Sequence, residues 1–352
     1  MKKSVVFTLS VFAAATFFGC SAKKVTIKAQ LPAETDSLTK KREIAVIPFK
    51  GDNINFSGRL ETKLASVKVN GKPYFKVINR DKIGDILKEL KFQSSELVGS
   101  KVAKFGKLAG AKVIISGNVK TSTSSGSYQK PEQVCSYYDK KGRCLSYKTV
   151  YKTCRTADAT LNTSINAIDV NTARVVDAVN ISKTYHGDSC VDTGVSFFGL
   201  GSSKKFKTAQ IALNDLADEA ATDYVNRVAP HSVLLTVELM DKVESVDLNS
   251  RQEKLFENAL TYIEHGRIKK AEYLLKKLNE ETNEKSYEIA YDLGVVEEAL
   301  GKLEEAQAAY KLADKIITDT GAEPNDLVDK AIKRIQTLLE KRKKLQRQLK
   351  NA

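Results

Sequence analysis

Five cysteines and three histidines carry most of the chemical potential of this 352-residue chain. A thiol can be acylated, oxidised, bound to a metal or used as a nucleophile, and its neighbours decide which. Cys135, Cys144, Cys154 and Cys190 lack the paired C-x-x-C spacing of a zinc site, and His186, His231 and His265 are scattered. No metal or other cofactor is expected from that pattern. The chain has neither a G-x-S-x-G nucleophile elbow nor an H-E-x-x-H pair, so no acid–base or nucleophilic constellation is legible. "GVSFFGLGSSKK", residues 194–205, has the glycines of a phosphate loop, but Leu200 stands where a lysine would be needed. The chain is therefore expected to be no enzyme and to take no small-molecule substrate. In an oxidising compartment the four central cysteines read as two disulfides.

The fifth cysteine, Cys20, has a different setting. Lys2 and Lys3 precede an apolar run over residues 5–18, whose 14 residues fall short of the roughly 20 that cross a bilayer but suit a secretory leader. Gly19 followed by Cys20 resembles the lipobox of bacterial lipoproteins, in which cleavage leaves the cysteine N-terminal and diacylated. Phe17 and Phe18 depart from that pattern, which prefers leucine and a small residue. Ser21, rather than aspartate, resembles the signal for transfer to the outer membrane. These likenesses imply a leader over 1–19, a lipidated Cys20, a polar tether through residue 42 containing Pro32, and a protein on the periplasmic side of the outer membrane. The net charge of +14 favours anionic lipid or wall polymer as surroundings. Nucleic acid is excluded as a partner by compartment and by the absence of any finger or aromatic-interleaved basic motif.

The elements that must position these residues alternate between strands and helices. "IAVIPF", residues 44–49, is a near-continuous apolar run stopped by Gly51, as expected of a strand buried on both faces. Phe56, Leu60 and Leu64 recur every four residues and predict a helix. "YFKVI", residues 74–78, is a second strand, followed by a helix capped by Asn79 with Ile83, Ile86, Leu87 and Leu90 on one face. Another short helix ends near Gly110, and "KVIISGNV", residues 112–119, is a third strand. Residues 158–170 and 173–185 alternate with period 2 around "NT" and predict an antiparallel hairpin. A long amphipathic helix then closes at Pro230.

If that hairpin turns at Asn171-Thr172, opposed residues have numbers that sum to 343 or 344, and Cys154 and Cys190 satisfy this. They should face each other at its far end, which leaves Cys135 to pair with Cys144 across a local turn at Lys141-Gly142. The intervening excursion, residues 120–157, is expected to be a surface loop stapled to the sheet.

"REIAVIPF", the "FKVINRDKIGDILKELKFQSSELVGSKVAKFGKLAGAKVIISGNV" stretch and "ATLNTSINAIDVNTARVVDAVNISKT" resemble the CsgG-type lipoprotein family in order, spacing and residue type. The resemblance implies a CsgG-like α/β domain over 43–230, with a mixed sheet and packed helices, serving in outer-membrane or periplasmic assembly. Members include curli secretion channels, holdfast anchors and activators of peptidoglycan synthases, so envelope proteins and further copies of the chain are the implied partners. In the curli channel, membrane-spanning hairpins sit at the equivalents of residues 120–157 and 186–206. Here "LSYKTVYKT" alternates only loosely, and the first segment carries Lys130, Glu132, Asp139, Lys140, Lys141, Arg143, Lys148 and Lys152. The second has one apolar cluster, residues 195–200. A pore is thus the secondary expectation, and a docking scaffold the first.

The C-terminal third is helical in period. Ala259, Gly266, Ala271 and Leu275 recur as Gly294, Gly301, Ala306 and Tyr310, each 35 residues on, which resembles tetratricopeptide repeats. A linker over 231–250, a helical domain over 251–350 and a terminal helix from Asn325 are expected. Between Lys330 and Lys350 that helix has nine basic residues and one acid, read as a solvated face. Tyr262, Tyr273, Tyr291 and Glu297 are the expected partner-binding residues of this region.

Overall fold

The structure, a computed structural model, describes residues 23–89, 100–191 and 206–350. Cys20 and the 195–200 cluster lie outside these residues. The chain divides into two compact units, Gln30–His231 joined by the turns from Lys341 onward, and Ser232–Glu340 joined by the chain up to Ala29.

In the α/β unit, β2 (Glu43–Val46) pairs in parallel with β5 (Lys76–Val77) and with β6 (Val113–Tyr138). Antiparallel β7 (Cys144–Asp169) and β8 (Val175–Asp188) complete the order β5-β2-β6-β7-β8. Two further short strands, β3 (Lys68–Val69) and β4 (Lys72–Pro73), form their own hairpin across Asn70-Gly71, both at positive φ, the pair that a two-residue primed turn selects. The apolar run in β2 is covered on both sides, as its composition predicts. Ile44 and Val46 face a core with α1 (Phe56–Ser66) and α4 (Ala209–Val228), while Ala45 and Ile47 face α2 (Arg80–Glu89) and α3 (Ser100–Ala109). Ala212, Ala217, Ala220 and Ala221 of α4 are all buried, so this helix lies close on the sheet with little side chain between. Gly117 of β6 answers the same demand: a Cβ there would overlap the Ser164 carbonyl oxygen and the Phe49 ring.

Residues 32–42, expected as tether, are part of this unit. Ala33 and Leu38 are fully buried. The Gln348 side-chain amide both accepts from the Ala33 N–H, at 2.9 Å, and donates to its carbonyl, at 3.0 Å. Gln348 lies in the last turns of α9 (Asp326–Lys350), which is therefore not a solvated face along its whole length.

The helical unit contains α5 (Ser250–Glu264), α6 (Ile268–Glu281), α7 (Tyr287–Ala299), α8 (Leu303–Thr320) and most of α9. Gly266 and Gly301 sit at the α5–α6 and α7–α8 turns with φ of 69° and 76°, a left-handed conformation that favours glycine. A strand pair not foreseen from sequence, β1 (Lys24–Leu31) with β9 (His231–Glu238), packs Val25, Ile27 and Val237 against the helical core. Nor is 239–248 a free linker, because carboxylates of α7 hold it. Asp292 accepts from the Met240 N–H at 3.0 Å, and Glu288 accepts from the Glu244 and Ser245 N–H groups at 2.9 Å each. Among the described residues no helix is long and apolar enough to cross a membrane.

Asp292 is wholly buried, and among the described residues its second oxygen has no partner. Burial holds its carboxyl well above the usual carboxylate range, with Asp241 and Glu288 adding to the shift and the Met240 N–H opposing it. The folded chain thus binds this proton more tightly than the unfolded one, so the group favours folding as pH falls through its folded pKa and costs stability above it. Asp292→Asn, which resembles the protonated acid, is expected to raise stability at pH 8 by about 1 kcal/mol or more. Urea midpoints should show that gain shrinking toward pH 4; a gain that grows on acidification would contradict the assignment.

Candidate functional site

Beyond the helices, the sheet continues as a two-stranded ribbon. β6 and β7 are 26 residues each and pair along almost their whole length, a ladder of about 85 Å at normal strand rise. β8 pairs with β7 only as far as Thr156, opposite Asp188, so among the described residues the outer 12 residues of β7 have β6 as their only strand neighbour, over about 40 Å. Residues 120–138 and 144–157 are therefore strand, joined by a turn over 139–143, rather than the expected surface loop. The local cause lies in the β-formers of that segment: tyrosine and threonine alternate with lysine and valine through 147–153, and each pleat finds a partner opposite.

Both ends of the ribbon are covalently fixed. At the tip, Cys135 is bonded to Cys144, 5.8 Å apart at Cα. There Asp139 Oδ1 accepts from the Lys141 and Arg143 N–H groups, at 2.8 and 2.9 Å, and Gly142 takes a φ of 77°. Backbone and side-chain donation from Arg143 holds the Asp139 carboxyl below its usual range. At the base, Cys154 is bonded to Cys190, 5.3 Å apart at Cα, in the register whose partners sum to 344 from Thr156–Asp188 to Ala167–Asp177. A shift between Ala167 and Ile168 moves only the turn end. Around the base bond, Tyr128 Oη donates to Asp188 at 2.9 Å, and the Lys130 ammonium donates to the Cys190 carbonyl at 3.2 Å.

Pairing sorts the charges in a way that neither strand displays alone. Residues directly opposite share a face, and faces alternate along each strand. One face of the outer ribbon reads Gln129–Thr153, Pro131–Tyr151, Gln133–Thr149 and Cys135–Tyr147, with no charge. Gln129 and Gln133 donate across it to Thr153 and Thr149, at 3.0 and 2.9 Å. The other face reads Tyr128–Cys154, Lys130–Lys152, Glu132–Val150 and Val134–Lys148 and holds every charge of this stretch. Lys130 and Lys152 oppose each other, an unfavourable pair that Lys130 relieves through Cys190. On the uncharged side Tyr147 and Tyr151 are 65% and 70% exposed, a solvent-facing aromatic pair of a kind that usually marks contact with something else.

Ser124, Asp158 and His186 also meet at the base, but not as a catalytic triad. Ser124 Oγ donates to Asp158 Oδ2 at 3.0 Å, and His186 Nδ1 lies 2.6 Å from Asp158 Oδ1. The aspartate stands between serine and histidine, so no base faces the hydroxyl. The hydrogen bond to Asp158 raises the His186 pKa and makes the pair a surface ion pair. Among the described residues no group of His, Cys, Asp and Glu could hold a metal ion.

The other expected site residues divide. Tyr291 and Glu297 are 1% and 3% exposed. Tyr291 donates to the Glu238 carbonyl at 2.7 Å, and Glu297 pairs with Lys276 at 3.1 Å. Both are interior, so neither can meet a partner; their places on α7, whose two faces are both covered, explain why helical period alone put them outside. Tyr262 is half-buried, and Tyr273 is exposed.

No curated protein sequence matches the chain. Among solved structures, the PelC dodecamer of Paraburkholderia phytofirmans is similar at 12% identity and a TM-score of 0.23, covering 58% of this chain and 96% of that one. A single-residue variant of the same dodecamer gives 11%, 0.26, 58% and 98%. Likenesses this loose fix neither assembly nor cargo. Residues 33–254 match the family described as "Curli production assembly/transport component CsgG", which takes in the whole sheet and both ends of the ribbon. The chain belongs to the CsgG family.

Proposed function

We propose that this protein is a lipid-anchored, non-catalytic assembly and transport component of the outer envelope, attached through Cys20 on the periplasmic side and working as a homo-oligomer. The observation that carries the reading is the ribbon. Among the described residues its outer strands have unpaired edges, which readily pair with another chain, and its uncharged, tyrosine-bearing face calls for cover. Neighbouring copies satisfy the edges when ribbons join edge to edge into a collar, and the tyrosine face then forms one wall of it. The helical unit is the docking module for an envelope protein. Its tightly packed core makes it a rigid platform rather than a flexible tail.

Two measurements test this. Wild-type protein in membrane fractions should require detergent for release, whereas Cys20→Ser should come off in salt alone; a detergent requirement that survives the substitution would remove the anchor. The detergent-extracted protein should have the native mass of a closed multimer, and a monomer at every concentration would refute the collar.

The charge sorting favours a second reading, in which the collar crosses the membrane as a secretion channel. A barrel strand needs about 9–11 residues with charge confined to the lumen side, and residues 129–135 and 147–153 meet the charge condition. Ion conductance in planar bilayers would establish it, and tight multimers without conductance would leave the scaffold.

A further inference from the structure

The start of β1 constrains how this protein meets a membrane. Three peptide units separate Cys20 from Lys23, a reach of about 11 Å at most, close to one Debye length. Whatever surrounds Lys23 in the helical unit therefore lies near the lipid that Cys20 enters. The Lys23 carbonyl accepts from the Leu239 N–H at 2.8 Å, and its ammonium meets Glu264, the last residue of α5, at 3.2 Å. Past Glu264 comes the α5–α6 turn, "HGRIKK", with Arg267, Lys269 and Lys270 exposed.

Two of these cations share one ring. The Arg267 guanidinium lies 4.8 Å and the Lys270 ammonium 4.9 Å from the centre of Tyr262. Among the described residues none of Arg267, Lys269 and Lys270 makes an ion pair, while Glu264, the acid that ends α5, is taken by Lys23. Asp241 and Lys242, just after Leu239, carry opposite charges and leave the balance positive. One helical turn beyond Lys269 and Lys270, Tyr273 is 64% exposed, an apolar ring with a polar tip of the kind that settles at headgroup depth.

We propose that this corner of the helical unit, built from Arg267, Lys269, Lys270 and the rings of Tyr262 and Tyr273, lies on the headgroups of anionic phospholipid. It rests on the reading of Cys20 as the attachment point, and it gives the two tyrosines to lipid rather than to a protein partner. Two cations held on one ring repel each other, and a surface of phosphates turns that repulsion into attraction. Each lysine near such a surface is worth about 1 kcal/mol, roughly fivefold in binding.

The test uses the mature chain, residues 20–352, carrying Cys20→Ser, so that no acyl group contributes. It should co-sediment with vesicles of phosphatidylcholine containing about 30% phosphatidylglycerol, not with phosphatidylcholine alone, and should be released at about 0.5 M salt. Arg267→Glu with Lys269→Glu and Lys270→Glu should weaken binding at least about tenfold. The same charge change at Lys311, Lys315 and Lys333, exposed elsewhere on these helices, should weaken it less than about threefold. Equal losses in the two triple variants would reduce the effect to net charge and overturn the proposal. So would absence of binding to the anionic vesicles, or retention on insoluble peptidoglycan in their place. Failure of the anchor would appear in the membrane-fraction experiment and leave this one standing.

Discussion

Arg334→Ala is expected to cost the helical unit about 3–5 kcal/mol, lowering its thermal midpoint by roughly 12 °C or more. Arg334 reaches from α9 to Glu298 of α7 with its Nε 2.9 Å from Oε1 and its Nη2 2.9 Å from Oε2. The Glu298 side chain is completely buried. Tyr310 of α8 completes the group, donating to Glu298 at 2.7 Å and accepting from Arg334 Nη2 at 3.1 Å. Truncating the arginine leaves a carboxylate and a hydroxyl without their cation in a dry interior, and that desolvated charge is the main cost. The pair itself is worth much less, because bringing two ions out of water offsets most of their attraction. Arg334→Met combined with Glu298→Gln should therefore lose less than Arg334→Ala alone. Helical circular dichroism during heating checks both variants; a single-variant loss below about 1 kcal/mol would mean that water reaches Glu298.

The same interior marks where sequence reading stops. The offset of 35 aligned Ala259 with Gly294 and Leu275 with Tyr310, and the structure gives the exchange a physical basis. A Cβ on Gly294 would sit 2.6 Å from Tyr310 Cδ1, so the larger ring in α8 requires the missing side chain in α7. That relation was visible as pattern. What pattern could not convey is that α7 is covered on all sides: Glu288, Asp292, Glu297 and Glu298 are each buried, against the solvated role that acids in a helix suggest. Their partners, Met240, Ser245, Lys276 and Arg334, lie 21 to 52 residues away, and no local window contains them. The apolar run of β2, the Asn79 cap and the Gly110 stop were legible because each is decided within a few residues. The Asn79 side chain does accept from the Asp81 N–H at 2.7 Å.

The ribbon combines both situations. Its cysteine pairs followed from the hairpin register, since one turn fixes every opposed pair on two strands. Its extent did not follow, because a segment rich in lysine, serine and threonine looks like loop until a second strand of equal length is laid against it. Segregation of charge to one face is a property of the pair, and a one-residue slip would abolish it. The bonds Cys135–Cys144 and Cys154–Cys190, one at each end, hold the register against such a slip.

Excising residues 129–153 and joining Tyr128 to Cys154 through Asn-Gly is expected to convert the proposed multimer to monomer while leaving the α/β unit folded. Tyr128 and Cys154 are directly opposed, so a two-residue primed turn closes the shortened hairpin without strain. Cys135 and Cys144 leave together, and Cys154 keeps Cys190. The excised strands contribute nothing to the core, which ends near Ala157 and Ala159, so the unit's unfolding midpoint should move by less than about 0.5 kcal/mol equivalent. Native mass in detergent should fall to that of one chain, and a multimer of unchanged copy number would show that the ribbon edges do not carry assembly. Tyr147→Lys with Tyr151→Lys separates edges from face. Both substitutions preserve the backbone ladder but place two charges on the uncharged side, where a lipid contact would cost about 2–4 kcal/mol per lysine at mid-membrane depth. Multimers that persist with these lysines but no longer conduct would assign the face to lipid, and unchanged conductance would assign it to a neighbouring protein surface or to water.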